Sequence, residues 1–273
     1  MNLLRSCDMS DQNLPEDFNS DVEPSDERRR KQPNFPLIIA SIALALSIYS
    51  IANPDSKSPS NAVDESTVDL SLYSPPANLP EMIENAEKSI VDISCVESGG
   101  TGFAFSDDAS PGFSTVIVTN FHVIEDCLNN GIEPSVLIGP DYSQESVGKI
   151  YSYDEDNDLA LIEITPVMPV IPESDRFAKR GWWAMAIGNP YNKLADVTLY
   201  NNVTFGNITN VIDDFYNYTT ATVNKGNSGG PLLNSRGELI GINTWATSGS
   251  ENGVWNIAVD SDALCETLFE CQE

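Results

Sequence analysis

Hydrophobic and polar positions divide the chain into unlike stretches. From about Glu81 onward, short runs rich in Val, Ile, Thr and aromatic residues recur: Ser89–Val96, Phe113–Thr119, Ser135–Ile138, Leu159–Thr165, Trp182–Ile187, Thr198–Phe205, Tyr216–Val223, Glu238–Thr244 and Val254–Val259. Turn formers such as Gly99-Gly100, Asp107-Asp108 and Asn129-Asn130-Gly131 separate them. Many short strands at this spacing predict an all-β sandwich or barrel architecture. Helical signals are scarce: a turn after His122, and a terminal helix from Ser261 to about Phe269 with Ser261 or Asp262 as its cap. No repeat of solenoid or propeller period is present.

Upstream the pattern differs. Residues 1–33 are polar and charged with few large apolar side chains, and such a segment is expected to stay disordered. No charge occurs from Gln32 to Pro54, and Phe35–Ala52 is an apolar run of 18 residues. As a helix it would cover about 27 Å, enough for a bilayer core. Residues 34–52 are therefore expected to form a transmembrane signal-anchor. Arg28–Lys31 on its N-terminal flank keep the N-terminus cytoplasmic and place everything after Ala52 outside. A cleaved signal peptide is a rival reading, because Ser50-Ile-Ala52 resembles a cleavage site, although the preceding region is long for one. A buried soluble helix is the third. Residues 53–80, with Pro54, Pro59, Pro75, Pro76 and Pro80 among many Ser and Asp, read as an extended linker, so the globular part is expected at 81–273.

Composition narrows the chemistry. The chain of 273 residues carries 14 Lys+Arg against 41 Asp+Glu, a formal net charge of -27. That leaves no electrostatic footprint for nucleic acid. A single histidine, His122, cannot build a His-rich zinc site, and the carboxylates at Asp154–Asp158 lack the spacing of a calcium loop. No metal and no cofactor are implied. Nearly all the acidity follows residue 52, where its plain reading is solubility.

The stretch Gly226-Asn-Ser-Gly-Gly-Pro-Leu-Leu233 is the most informative. A serine between glycines can occupy a tight turn with its hydroxyl exposed and amide N–H groups converging nearby, as an acyl-transfer nucleophile requires. Read as G-x-S-x-G it also fits an α/β-hydrolase elbow, but those enzymes place the histidine after the serine, and none follows Ser228. The base must then be His122, in Val118-Thr-Asn-Phe-His-Val-Ile-Glu125, giving the chain order His, acid, Ser. Five carboxylates crowd Tyr153–Glu163, so composition alone does not choose the acid. Asp158 stands at the mouth of the apolar strand Leu159-Ala-Leu-Ile. Asp154, Glu155 and Asp156 read as solvated loop charges, and Glu163 as facing outward.

With these motifs the chain resembles a trypsin-like serine protease of the HtrA (DegP/DegQ) branch of the chymotrypsin superfamily. The likeness runs over about residues 85–260, through Ser89-Ile-Val-Asp-Ile, Gly100-Thr-Gly-Phe103, Thr119-Asn-Phe-His-Val123, Asp158-Leu-Ala, Ala186-Ile-Gly-Asn-Pro190, Gly226–Leu232 and Gly241-Ile-Asn-Thr244. The resemblance implies two perpendicular six-stranded antiparallel β-barrels with the site between them. It implies His122 as general base, Asp158 as its orienting acid, Ser228 as nucleophile, and the amides of Gly226 and Ser228 as oxyanion hole. It further implies Thr222 at the floor of the primary pocket, Thr244-Trp245-Ala246 along the substrate backbone and Gly253 on the opposite wall. That neutral pocket is expected to take small or aliphatic residues. Two departures stand out. Asn227 precedes the serine where zymogen-activated relatives carry Asp, which speaks against activation by propeptide removal. After the last strand no PDZ domain is expected before Glu273.

Four of the five cysteines lie on the exported side, where an even number predicts disulfides. As in related proteases, Cys95 would pair with Cys127 and clamp the loop holding the base, leaving Cys265 to pair with Cys271. Cys7 would be a free thiol. Three N-x-T sequons, at Asn202, Asn207 and Asn217, matter only in a host that glycosylates. The expected function is a membrane-tethered serine endopeptidase acting outside the cytoplasm on protein or peptide substrates, in a branch that often forms homo-oligomers. The rival is a catalytically silent binding or sensor module on the same fold.

Overall fold

A computed structural model describes residues 68–192, 194–212, 215–249 and 253–269. The tail expected to be disordered at 1–33, the expected 34–52 span and Cys271 lie outside the described residues. Among the described residues no helix is long and apolar enough to cross a membrane.

The folded unit reaches back into the expected 53–80 linker. A 3-10 turn, Leu70–Tyr73, buries Leu72, and Asp69 caps it by accepting from Ser71 N–H. Helix α1 (Leu79–Glu87) follows, with Pro80 in its first turn. Proline suits that position because the first helical N–H groups have no intrahelical acceptor anyway. The same proline had read as tether.

The first half contains β1 (Ile90–Ser94), β2 (Gly99–Ser106), β3 (Thr115–Thr119), helix α2 (Phe121–Asn130), β4 (Ser135–Ile138), β5 (Gln144–Val147), β6 (Lys149–Asp154) and β7 (Leu159–Ile164). They form one antiparallel sheet of seven strands, in the order β5-β4-β1-β2-β3-β7-β6, where a closed barrel of six was expected. The reason is local. The two edge strands β5 and β6 are separated in the chain by Gly148 alone, so the sheet must curl until its edges meet there, yet no ladder joins them. A Cβ on Gly148 would lie 2.5 Å from Ile162 Cγ2, so the closure needs glycine.

Strands β3 and β7 are buried on both faces. Val116 and Val118 face one apolar cluster, while Ile117 joins Val123 and Ile124 of α2 in another. This two-sided burial explains their uninterrupted apolar runs. It also overturns the outward placement of Glu163, which is 1% exposed and accepts from Ser110 N–H at 2.7 Å.

The second half holds β8 (Trp183–Gly188), a short ribbon of β9 (Tyr191–Asn192) and β10 (Val197–Thr198), β11 (Asn202–Ile212), β12 (Tyr216–Thr219), β13 (Pro231–Leu233), β14 (Leu239–Gly249) and β15 (Gly253–Val259). Six of these close into a barrel, β11-β12-β15-β14-β13-β8, as expected for this half. Along β8 the large Trp183, Met185 and Ile187 face one cluster and the small Ala184 and Ala186 the other. Helix α3 (Ser261–Thr267) follows the barrel; its cap is Asp260, whose side chain accepts from Asp262 N–H, one residue before the expected Ser261 or Asp262. Asn217 is fully buried and donates to Ile240 O and Asp260 Oδ2, so that sequon is closed to modification.

Candidate active site

The three residues singled out as chemistry-bearing face one cleft of about 500 Å³, lined among others by His122, Asp158, Ser228 and Thr244. His122 is the second residue of α2 and follows directly on the buried strand β3. Asp158 sits just before β7, with a left-handed φ of 54°. That backbone turns its carboxylate onto the helix start. His122 N–H donates to Asp158 Oδ1 at 2.9 Å, and His122 Nδ1 lies 2.8 Å from Oδ2. One carboxylate thus holds both the backbone and the ring, favouring the tautomer with its proton on Nδ1 and leaving Nε2 as an acceptor. The fully buried Asn120 donates through Nδ2 to Asp158 O and to Thr244 Oγ1, tying the Asp158 loop to β14.

Ser228 lies on the turn between β12 and β13. Its hydroxyl donates to Thr244 O at 3.2 Å, and no hydrogen bond joins it to His122 among the described residues. Gly226 has a φ of 103° and Gly229 of 83°. Neither position accepts a side chain: a Cβ on Gly226 would stand 2.6 Å from Asn189 O, and one on Gly229 2.2 Å from Thr101 O. Tyr191 N–H donates to Lys225 O at 3.2 Å. Because C=O and N–H point opposite ways across a trans peptide, the Gly226 N–H faces away from Tyr191. Two backbone amides on such a turn are what a developing oxyanion needs. Asn227 is fully buried, and neither its Oδ1 nor its Nδ2 has a partner among the described residues. A carboxylate there would be a buried charge without a cation, so the amide fits the site and an Asp would not.

The specificity residues fare less evenly. Thr244 lines the cleft, but Thr222 is exposed and does not; Val223, Asn224 and Lys225 occupy that wall instead. Trp245 and Ala246 pair through the backbone with Ile257 and Asn256, and Gly253 with Gly249 at the ends of β14 and β15. Glu155 and Asp156, read as loop charges, also reach the cleft.

Cys95 and Cys127 form a disulfide, fastening the end of β1 to α2 five residues beyond His122. Cys265 is disulfide-bonded as well, and its Sγ lies 3.3 Å from Glu173 Oε1. On β1, Asp92 is pushed up to about 6 by burial, with a hydrogen bond from Asn189 acting against the shift. Tyr142, half-buried and donating to Asn189 and Asn201, is also raised above its ordinary value, chiefly by desolvation.

Residues 100–242 match the model of the trypsin-like peptidase domain. A probable periplasmic serine endoprotease DegP-like of Chlamydia trachomatis is 40% identical over 156 residues, covering 55% of this chain and 29% of that protein. The putative serine protease HhoA of Synechocystis is 37% identical over 160 residues, covering 53% and 36%. The chain thus spans about a third of the length of these relatives. The crystal structure of the serine endoprotease from Yersinia pestis superimposes with a TM-score of 0.58 at 29% identity, over 71% of this chain and 66% of that one. With the motif order, the cleft and these likenesses in agreement, the chain belongs to the trypsin-like peptidase domain family and is HtrA/DegP-like within it.

Proposed function

We propose that this chain is a serine endopeptidase that cleaves peptide bonds through an acyl-enzyme. In this reading Ser228 Oγ attacks the peptide carbonyl as His122 Nε2 takes its proton, and the Gly226 and Ser228 amides hold the oxyanion. Asp158 stabilises the imidazolium, which then protonates the leaving amine; water releases the acyl group by the same steps. The observation that carries the proposal is the double grip of Asp158 on His122, in a cleft shared with Ser228. Rotation about the Ser228 Cα–Cβ bond is needed to bring its hydroxyl from Thr244 O to His122. That resting contact is the one observation on the side of a catalytically silent binding module. A fluorophosphonate probe separates the two: the peptidase predicts an adduct on Ser228 that Ser228→Ala lacks, and the silent module predicts none on folded protein.

The substrates we infer are proteins or peptides with small or aliphatic residues before the cleaved bond. This rests on Val223 and Asn224 in that wall and on Lys225 beside them, whose charge disfavours a cationic side chain there, and faster cleavage after Lys or Arg in a peptide library would overturn it. We place the domain outside the cytoplasm, tethered through residues 34–52. The Cys95–Cys127 disulfide favours an oxidising compartment, and the Chlamydia relative is named as periplasmic. Recovery in the membrane fraction after alkaline carbonate washing tests the tether; release into the wash speaks for a cleaved signal.

A further inference from the structure

Thr101, on β2 of the first half, is fully buried and hydrogen-bonded at every polar group. Its N–H donates to Ser228 O at 2.9 Å. Its hydroxyl donates to Gly226 O at 2.7 Å and accepts from Asn189 N–H at 2.9 Å. Its carbonyl accepts from the Thr119 hydroxyl at 2.7 Å. A residue of the open sheet therefore holds both ends of the Gly226-Asn-Ser228 segment in the other half. Gly226, lacking a Cβ, has no side chain to limit its torsions. Two bonds fix them instead: Tyr191 N–H on the carbonyl before it and Thr101 Oγ1 on its own carbonyl.

We propose that Thr101 is a positioning residue for the nucleophile turn, its hydroxyl fixing the Gly226 peptide so that the Gly226 and Ser228 amides keep a common aim at the oxyanion. This rests on the peptidase reading above. The role requires the hydroxyl itself, so Thr101→Val, which keeps the branched shape, removes it, and Thr101→Ser preserves it. Displacing a donor by a fraction of its bond length is expected to lower kcat by roughly 10- to 100-fold, with KM within about twofold, because the loss falls on the transition state.

The test compares wild type, Thr101→Val and Thr101→Ser in peptide turnover, and measures their affinity for a peptidyl boronate and for a non-covalent product peptide. Expected are a kcat loss in Thr101→Val, recovery in Thr101→Ser, and a boronate affinity that falls with kcat while product affinity stays constant. Wild-type kcat in folded Thr101→Val overturns the inference, as does a Thr101→Ser variant equally impaired. If Thr101→Val does not fold, Thr101→Ser against Thr101→Ala decides: equal kcat in these two overturns it, and loss in the alanine alone supports it. A wild-type chain that neither labels nor turns over sinks the peptidase reading and this inference together. An active wild type matched by Thr101→Val sinks this inference alone.

Discussion

The half carrying His122 and Asp158 and the half carrying Ser228 are restrained by opposite means. The first is an open sheet, yet its site residues are locked locally: one carboxylate holds His122 twice, and a disulfide staples α2 to β1. The second is a closed barrel, yet its Ser228 turn is built on two glycines at positive φ and a buried asparagine whose side chain has no partner among the described residues. The hydrogen bonds that steady this turn come partly from Thr101 in the other half. Closure of a ladder therefore says little about the rigidity of what hangs from it. The proposed base is held within its own half, whereas the proposed nucleophile is steadied across the boundary.

The sharpest break of this comparison is Ser228→Ala, which removes the only proposed bond-forming atom; peptide turnover should fall by roughly 10⁵- to 10⁶-fold. Next comes the local lock. Asp158→Asn keeps the backbone geometry but disturbs the tautomer of His122, and should lower kcat about 10⁴-fold with an unchanged melting temperature. On the other side, Gly226→Ala sets a Cβ 2.6 Å from Asn189 O at a φ of 103°. The turn must shift, and kcat should drop by about 10²- to 10³-fold, as for loss of one oxyanion donor. Equal damage to stability in Asp158→Asn and Gly226→Ala would erase the contrast drawn above.

Two smaller effects concern stability. The double variant Cys95→Ser/Cys127→Ser opens a loop of sequence separation 32 and should be less stable by about 2–4 kcal/mol in chemical denaturation. Glu173, between the halves, is pushed up from 4.5 to about 7 by burial first and by Asp262 and Asp260 next. Its folded form keeps a proton that the unfolded chain releases. That contribution is complete below pH 4.5 and is lost as pH rises to about 7. Because the group is half exposed, Glu173→Gln should gain only about 1 kcal/mol over wild type near neutral pH, and nothing near pH 4. Melting curves of both proteins across that range check it.

Much of this organisation was readable from residue pattern, and the misses have physical causes. Strands such as Thr115–Thr119 and Trp183–Gly188 announce themselves through apolar runs, because burial on both faces leaves no room for polar alternation. Strand β2 does not, since Gly99, Gly100 and Gly102 disfavour a strand by propensity. The glycines are there for close approach: a Cβ on Gly100 would meet Ser228 O at 2.8 Å. Strand β6 was hidden by exposed Tyr151 and Tyr153 at a sheet edge. For the site, chain order with a single histidine isolated His122 and Ser228, and Asp158 followed from its place before β7. Thr101 and Asn120 lie inside the quoted motifs Gly100–Phe103 and Thr119–Val123, but their roles were not legible there, because a buried hydroxyl or amide acts through partners distant in the chain. Spacing alone does not say which residues of 222–225 face the cleft, because loop conformation decides it; Val223, Asn224 and Lys225 do.

The left-handed backbone at Asp158 bears on how such a protein can lose its chemistry over generations. Among side chains, asparagine shares with aspartate an unusual tolerance of that conformation, and one base change in a codon separates them. A lineage released from selection for hydrolysis can cross that step with its fold, disulfide and surface undisturbed. The inactive descendant would be inherited as a well-folded protein, free to be selected for binding alone.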